Sequence, residues 1–110
     1  MSMDRRINFH KILVSAYERA YPDAKKAYVY FQPPSNIKMT YPCIVYSRDS
    51  ADTMFANDQV WHYTQRYQVI IIDAKPDTPI LDQLRELPMS LYERHYVADN
   101  LNHDVFNIYY

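Results

Sequence analysis

The chain has 110 residues, a formal net charge of −1 and 48% hydrophobic residues, a composition typical of one globular domain. It lacks the excess of lysine and arginine that phosphate backbones attract, and its basic residues are scattered, which disfavours a nucleic-acid-binding surface. Glycine is absent, although average usage of about 7% would give roughly eight. Because phosphate-binding loops need glycine for close backbone approach, P-loop, dinucleotide-binding and nucleophile-elbow sites are disfavoured.

The cysteine count and the hydropathy pattern indicate where the protein is made. Cys43 is the single cysteine and forms no internal disulfide, which indicates a reducing compartment or independence from redox state. No apolar run approaches the ~20 residues of a membrane span, and residues 1–8 are charged and lack an apolar signal core. We expect a protein made and kept inside a cell, or assembled there into something larger, with no membrane partner.

A helix is predicted over residues 5–21, where apolar side chains recur at spacings of three and four and form one stripe. Pro22 and Asp23 end it. The stripe contains Phe9, Ile12, Leu13, Ala16, Tyr17 and Ala20.

Two strands are predicted next. Residues 27–32 are β-branched and aromatic and are followed by two prolines, and residues 41–48 form a second strand with Pro42 near its start, where no ladder hydrogen bond is lost. Residues 49–59 are polar except for Met54 and Phe55. We interpret them as a long loop or a distorted hairpin end.

Residues 60–73 are predicted to form the longest strand. Its first half alternates between apolar and polar side chains, whereas Ile70 and Ile72 make both faces apolar near its end. Such a strand is open to water or to a partner at one end and covered on both faces at the other. Trp61 and Tyr63 lie in the open half.

A turn at residues 74–77 precedes a second, short helix. Thr78 is the predicted N-cap and Pro79 suits the first helical position, while Pro88 stops the helix after Leu87. Residues 91–97 and 105–110 are the last two strands. Residues 99–104 connect them as a hairpin, because Asn and Asp adopt positive φ where glycine is absent.

The element order α-β-β-β-α-β-β lacks the alternation of a doubly wound sheet. It predicts an α+β fold in one domain spanning residues 1–110, with a mostly antiparallel sheet of about five strands and two helices packed on one face. We find no repeat, low-complexity tract or linker between domains.

No pattern of side chains predicts catalysis. Cys43 lies within an apolar strand and is predicted to be a buried structural thiol. His103 and Asp104 lie near Asp99 but match no metal-ligand spacing, so a solvated hairpin is the better interpretation. His10 is expected at the surface of the first helix. We therefore predict no catalytic, cofactor-binding or metal-binding residue, and a protein that is not an enzyme.

The features that favour binding are aromatic and apolar. The chain contains 12 tyrosines, which suit protein interfaces but also fill half-buried strand positions. Met54 and Phe55 either fold back on the core or anchor a partner. Stacking of single-stranded bases on Trp61 and the tyrosines is an alternative, although few basic residues accompany them. The predicted partner-binding residues are Met54, Phe55, Trp61 and Tyr63.

The second half of the chain resembles the tail terminator, or tail completion, proteins of long-tailed bacteriophages. A strand HYTQRYQVIIID ends in the turn KPDTP, a short helix ILDQLRELP follows, and YERHYVADNLNHDVFNIYY closes the chain as a hairpin. Upstream, YPCIVYSR resembles the preceding strand, and the long loop lies where that family has an extended loop. The resemblance spans roughly residues 40–110, and the first helix is compatible with it.

This resemblance implies a structural virion subunit that forms a ring, expected to be a homohexamer, at the head-proximal end of the tail tube. Such a ring stops tube polymerisation during virion assembly in the host cytoplasm. It implies the chain itself, the major tail tube protein and a head connector or stopper protein as partners, with DNA only as passing cargo. The alternatives are another phage neck or minor structural protein, or, in another class, a small ferredoxin-like nucleic-acid-binding domain.

Overall fold

The computed structural model describes the backbone of residues 2–56 and 59–110 and the side chains of residues 4–49 and 65–110. Two helices and five strands follow one another as α-β-β-β-α-β-β, which confirms the predicted order and the α+β class. The elements are α1 Ser2–Ala20, β1 Val29–Phe31, β2 Cys43–Ala56, β3 Gln59–Asp73, α2 Pro79–Arg85, β4 Ser90–Ala98 and β5 Leu101–Tyr109.

Helix α1 begins three residues earlier than the sequence pattern indicates. Asp4 lies in its first turn and Arg19 in its last, and both charges are favourable at those ends of a helix dipole. The N–H of Tyr21 donates to the carbonyl of Tyr17 at 2.8 Å and closes the last turn, immediately before Pro22. The predicted stop is therefore confirmed to within one residue.

The sheet has the order β1-β2-β3-β5-β4. Only β1 and β2 pair in parallel, so the predicted, mostly antiparallel sheet is confirmed. Strand β1 is shorter than the predicted 27–32, because Gln32 adopts a φ of 43° and turns the chain away. The connection back to β2 passes near β1, where the N–H of Thr40 donates to the Tyr30 hydroxyl at 3.1 Å.

Both helices pack on one face of the sheet, as predicted. The apolar side chains of the helices pack against alternate residues of β2, β3 and β5. The ring of Phe9, for example, stacks on that of Tyr67 with centroids 4.5 Å apart. The members of this core are Phe9, Leu13, Ala16, Tyr17, Ile44, Tyr46, Tyr67, Val69, Ile71, Ile80, Leu84, Phe106 and Ile108.

The end of β3 is buried on both faces, in agreement with its apolar pattern. Ile71 faces the helices and is fully buried, while Ile72 points to the opposite face and is only 6% exposed. On that second face, Cys43 of β2 pairs with Ile72 and is also fully buried, so the predicted structural thiol is confirmed.

The predicted helix cap and hairpin turn are present. The Thr78 side chain accepts a hydrogen bond from the N–H of Ile80 at 3.3 Å, and Pro79 begins α2. Asp99 and Asn100 have φ values of 54° and 63° and form a two-residue turn of the type that favours hairpins. The turn is shorter than the predicted 99–104, because residues 101–104 already belong to β5.

Asp104 is consequently not in a solvated hairpin, which corrects the sequence interpretation. It is 3% exposed, and one carboxylate oxygen accepts a hydrogen bond from the Tyr92 hydroxyl at 3.0 Å. His103 is half-buried and its ring stacks on Tyr96 with centroids 4.6 Å apart. Strand β5 therefore carries two polar residues, His103 and Asp104, whose partners Tyr96 and Tyr92 lie on the neighbouring strand β4.

Candidate interaction surface

The pairing between β2 and β3 continues beyond the rest of the sheet as a two-stranded arm, defined here by its described residues, 49–56 and 59–64. Strand β5 pairs with β3 as far as Arg66, and β1 pairs with β2 only as far as Tyr46. From Ala51↔Gln65 to Ala56↔Gln59, the two strands pair with each other and with no other described strand. At about 3.3 Å per residue, the arm extends roughly 20 Å, and the longest dimension of the molecule is 51 Å.

The arm replaces the long loop predicted for residues 49–59. The alternative prediction, a distorted hairpin end, agrees with the structure, because the register shifts twice. Asp49 is the extra residue of the first shift, and its carboxylate pairs with Arg66 at 3.0 Å. Trp61 is the extra residue of the second shift, on β3. Bulges of this kind bend a strand and increase its twist.

All four predicted partner-binding residues lie on the outer half of the arm. Tyr63 pairs with Thr53, Met54 pairs with His62 and Phe55 pairs with Val60, so the backbones are brought together by the hairpin. The side chains of Met54, Phe55, Trp61 and Tyr63 lie outside the described residues.

Strand β4 forms the edge of the sheet opposite β1. It pairs with β5 on one side, and no described strand lies on its other side. Leu91 and Val97 are each 62% exposed and Tyr92 is 43% exposed. A nine-residue edge with exposed apolar side chains is a template for pairing with another chain. The sequence pattern predicts the strand, but its position at an edge depends on topology that local sequence does not encode.

An apolar groove of about 470 Å³ lies beside the base of the arm, between α1, the start of β4 and the end of β5. The rings of Phe9 and Tyr110 stack across it at 5.4 Å, and the Arg5 guanidinium lies 5.7 Å from the Tyr110 ring. Met89 is 66% exposed and adopts a φ of 59°, a left-handed conformation that is unusual outside glycine, asparagine and aspartate. The residues that line the groove are Arg5, Phe9, Ile12, Leu87, Pro88, Met89, Ile108, Tyr109 and Tyr110.

A second cavity, of about 490 Å³, lies at the end of the sheet away from the arm and is more polar. Its central group is Asp73, which is 3% exposed. The Asp73 carboxylate accepts hydrogen bonds from the Tyr21 hydroxyl and, at 3.0 Å, from the N–H of Lys75. The second bond closes the turn that follows β3, and the carboxylate ties the end of α1 to the end of β3.

Two tyrosines that line this cavity, and the nearby thiol of Cys43, have raised pKa values. Burial raises the pKa values of Tyr17 and Tyr21 to about 12, with a further contribution for Tyr21 from its bond to Asp73. Burial and the charge of Asp73 raise the pKa of the Cys43 thiol to about 12. Since an effective acid or base has a pKa near the operating pH, these three groups are poorly matched to proton transfer at neutral pH.

His10 is half-buried, although the sequence pattern indicates a surface position. Its Nδ1 lies within hydrogen-bonding distance, 2.7 Å, of the Tyr46 hydroxyl oxygen, which also accepts a bond from Arg6 at 3.2 Å. Burial, and secondarily the charge of Arg6, lower the pKa of His10. The guanidiniums of Arg6 and Arg48 lie over the Phe31 ring, 4.4 and 5.0 Å from its centroid.

Among the described side chains, those of residues 4–49 and 65–110, no group of three histidine, cysteine, aspartate or glutamate residues is arranged to hold a metal ion. Neither of the described helices is long and apolar enough to cross a membrane. No family model matches the chain, and no curated protein or solved structure matches it either.

Proposed function

We propose that the chain is a structural subunit of a bacteriophage tail, which caps the head-proximal end of the tail tube, stops its polymerisation and joins it to the head connector. The order α-β-β-β-α-β-β, with both helices on one face of the sheet, agrees with what the resemblance implies. In this proposal the copies form a ring, expected to be a hexamer, and the tail tube protein and a connector or stopper protein bind its two faces.

The observation that carries the proposal is the extent of unpaired strand edge combined with exposed apolar side chains. The arm extends six residue pairs beyond the strands that flank it, and an isolated two-stranded hairpin is at best marginally stable in water. Leu91 and Val97 add exposed apolar surface along the free edge of β4. Such surfaces are a liability in a protein that works alone and are useful in a subunit that is covered by neighbours.

The proposal includes no catalysis and no cofactor. The groups that would be first candidates for proton transfer or nucleophilic attack are Cys43, Tyr17 and Tyr21, and each has a pKa of about 12. Cys43 is also fully buried, which keeps it from a substrate. In this proposal, DNA passes through the ring as cargo, and a net charge of −1 agrees with a conduit that does not grip it.

The test adds purified protein to tail tube protein as it polymerises. We expect growth to stop at one end of each tube and electron micrographs to show a single ring there, with the mass of the ring measured by light scattering. If the tubes grow at both ends and bind no added protein, the proposed tail terminator function is wrong. A stable monomer that binds RNA with a steep salt dependence would favour the nucleic-acid-binding alternative.

A substitution in the arm provides a second test. Phe55→Asp places a charge on the outer half of the arm, so we expect it to block assembly and to leave the melting temperature unchanged. Ile37→Asp is the matched control, because Ile37 is also apolar and 42% exposed but lies in the β1–β2 connection. Assembly of the Phe55 variant at the rate of the control would exclude Phe55 from the interface.

A further inference from the structure

The cavity of about 490 Å³ at the end of the sheet away from the arm contains a buried carboxylate without a cationic partner. Asp73 lines this cavity and is 3% exposed. No lysine, arginine or histidine among the described side chains forms an ion pair with it. Because a buried charge is normally paired with an opposite charge, the carboxylate favours a cation as the occupant of the cavity.

The hydrogen bonds of the Asp73 carboxylate leave room for further donors. Oδ2 accepts one bond from the Tyr21 hydroxyl, and Oδ1 accepts one from the N–H of Lys75 at 3.0 Å. An ionised carboxylate has about four acceptor sites, so roughly two remain. The hydroxyl hydrogens of Tyr17 and Tyr21 are both donated within the chain, to the carbonyl of Pro42 and to Asp73. The carboxylate and the two tyrosines therefore offer a ligand acceptors and no donors.

The walls of the cavity are also favourable to a cation. The rings of Tyr17 and Tyr21 both line it, with centroids 5.8 Å apart, and the faces of such rings attract positive charge. The ammonium nitrogen of Lys75 lies 5.3 Å from the centroid of the Tyr21 ring, which places one cation at this wall already. Asp23 is a second carboxylate in the lining. Two carboxylates and one ammonium group thus leave the cavity with a net negative charge.

We propose that this cavity binds a primary alkylammonium group, whose N–H groups donate to Asp73 and whose charge lies against the tyrosine rings. Its volume is within the range of roughly 300–1,000 Å³ found for small-molecule sites. An ammonium suits the site better than a guanidinium, because the planar guanidinium fork is matched to two free carboxylate oxygens and each oxygen of Asp73 already accepts a bond. The inference goes beyond the proposed tail function and does not rest on it.

The alkyl chain of the ligand has an apolar surface to lie on. Proline and alanine side chains complete the lining of the cavity, namely Ala20, Pro22, Ala24, Pro42 and Pro79. A primary ammonium on an alkyl chain occurs both in free amines and in the lysine side chain of a partner protein. Both sources share the chemistry that the cavity recognises, so the probes must distinguish them.

The test is an NMR titration of the full chain at neutral pH with three probes. The probes are n-butylammonium, N-acetyl-lysine methylamide, which represents a lysine side chain, and 1-butanol, which has the same chain length without the charge. We expect the backbone signals of Ala24 and Lys75 to move with butylammonium, and its affinity to exceed that of butanol at least about tenfold, because charge-assisted hydrogen bonds are the stronger kind. Equally tight binding of the lysine derivative identifies a partner's lysine as an occupant, and weaker binding of it identifies a free amine.

Variants of the two charged groups should change the affinity in opposite directions. Asp73→Asn should lower the affinity for butylammonium at least about tenfold, since it removes the charge that the ammonium group pairs with. Lys75→Gln should raise the affinity, because it removes the competing ammonium and keeps the backbone N–H that donates to Asp73. Asp4→Asn is the matched control, since it removes one acidic charge from the first turn of α1, at the opposite end of that helix from the cavity.

Three results would overturn the inference. Butylammonium could bind no more tightly than butanol, Asp73→Asn could bind it as tightly as the Asp4 control, or Lys75→Gln could weaken binding. If Asp73→Asn does not fold, Asp23→Asn takes its place, because Asp23 is exposed and lines the same cavity. We then expect lower affinity for the Asp23 variant and higher affinity for Lys75→Gln, and the absence of either change would contradict the proposed site.

Discussion

Replacing Tyr21 with phenylalanine tests whether the buried Asp73 carboxylate holds the end of α1 to the sheet. The substitution removes one hydroxyl, which donates to a carboxylate oxygen that is nearly inaccessible to solvent. Hydrogen bonds to charged groups contribute about 1.5–3 kcal/mol to stability. Because the cavity of about 490 Å³ beside Asp73 admits water to the orphaned oxygen, we expect the lower part of this range, about 1.5–2 kcal/mol.

The corresponding change in melting temperature follows from chain length. An unfolding entropy of ~2.1 cal/mol/K per residue gives roughly 0.23 kcal/mol/K for this chain, so 1 kcal/mol corresponds to about 4 °C. Tyr21→Phe should therefore lower Tm by about 6–9 °C in calorimetry. Tyr17→Phe is the matched control, because the Tyr17 hydroxyl donates at 2.8 Å to the neutral carbonyl of Pro42. A neutral bond contributes about 0.5–1.5 kcal/mol, so the control should lose about 2–6 °C.

Two results would refute this reasoning. One is a smaller loss of Tm for Tyr21→Phe than for Tyr17→Phe. The other is additivity in a double-mutant cycle with Asp73→Asn, since two groups that interact directly should show a coupling of at least about 0.5 kcal/mol. In either case the Asp73 carboxylate would be held by its bond to the N–H of Lys75 and not by the phenol.

Two further predictions concern the backbone and alkaline pH. Met89→Asn should raise Tm by about 4 °C, because asparagine tolerates the left-handed conformation whose strain costs roughly 1 kcal/mol, and an unchanged or lower Tm would show that Met89 is not strained. The pKa values of Tyr17, Tyr21 and Cys43 are raised in the folded state to about 12, from ordinary values of 10.0, 10.0 and 9.0. Their stabilisation should be complete below about pH 9 and lost progressively up to about pH 12 in urea titrations, and Cys43→Ala should flatten this loss; a stability independent of pH in that window would contradict the burial argument.

The parts of the fold that the sequence predicts are those with one buried face. In α1, the apolar residues at spacings of three and four include Phe9, Leu13 and Ala16, and all three are buried against the sheet. In β3, the apolar residues that alternate from Tyr67 to Ile71 face the helices. Because the helical and strand periods follow from burial of a single face, the pattern is informative wherever such a face exists.

The arm was predicted poorly for the same physical reason. Residues 51–56 of β2 pair with β3 alone among the described strands, and the mostly polar composition of residues 49–59 resembles that of a loop. The candidate site was therefore only partly predictable. Met54 and Phe55 were chosen as apolar residues in a polar stretch, but local sequence does not indicate that they lie on a paired strand or that β4 is a free edge.

The two ends of the sheet carry different kinds of contact, and this difference links the fold to the proposed assembly. At one end, the Asp73 carboxylate ties the residue that follows α1 to the end of β3, and the Thr78 side chain caps α2, both with bonds that are satisfied within the chain. At the other end, the arm leaves the sheet beside an apolar groove and the strained backbone of Met89. A subunit needs a rigid body to hold its shape and an incomplete surface that a neighbour completes. The arm end supplies that surface, so substitutions there should change assembly more than stability, and substitutions at Tyr21 or Asp73 should do the reverse.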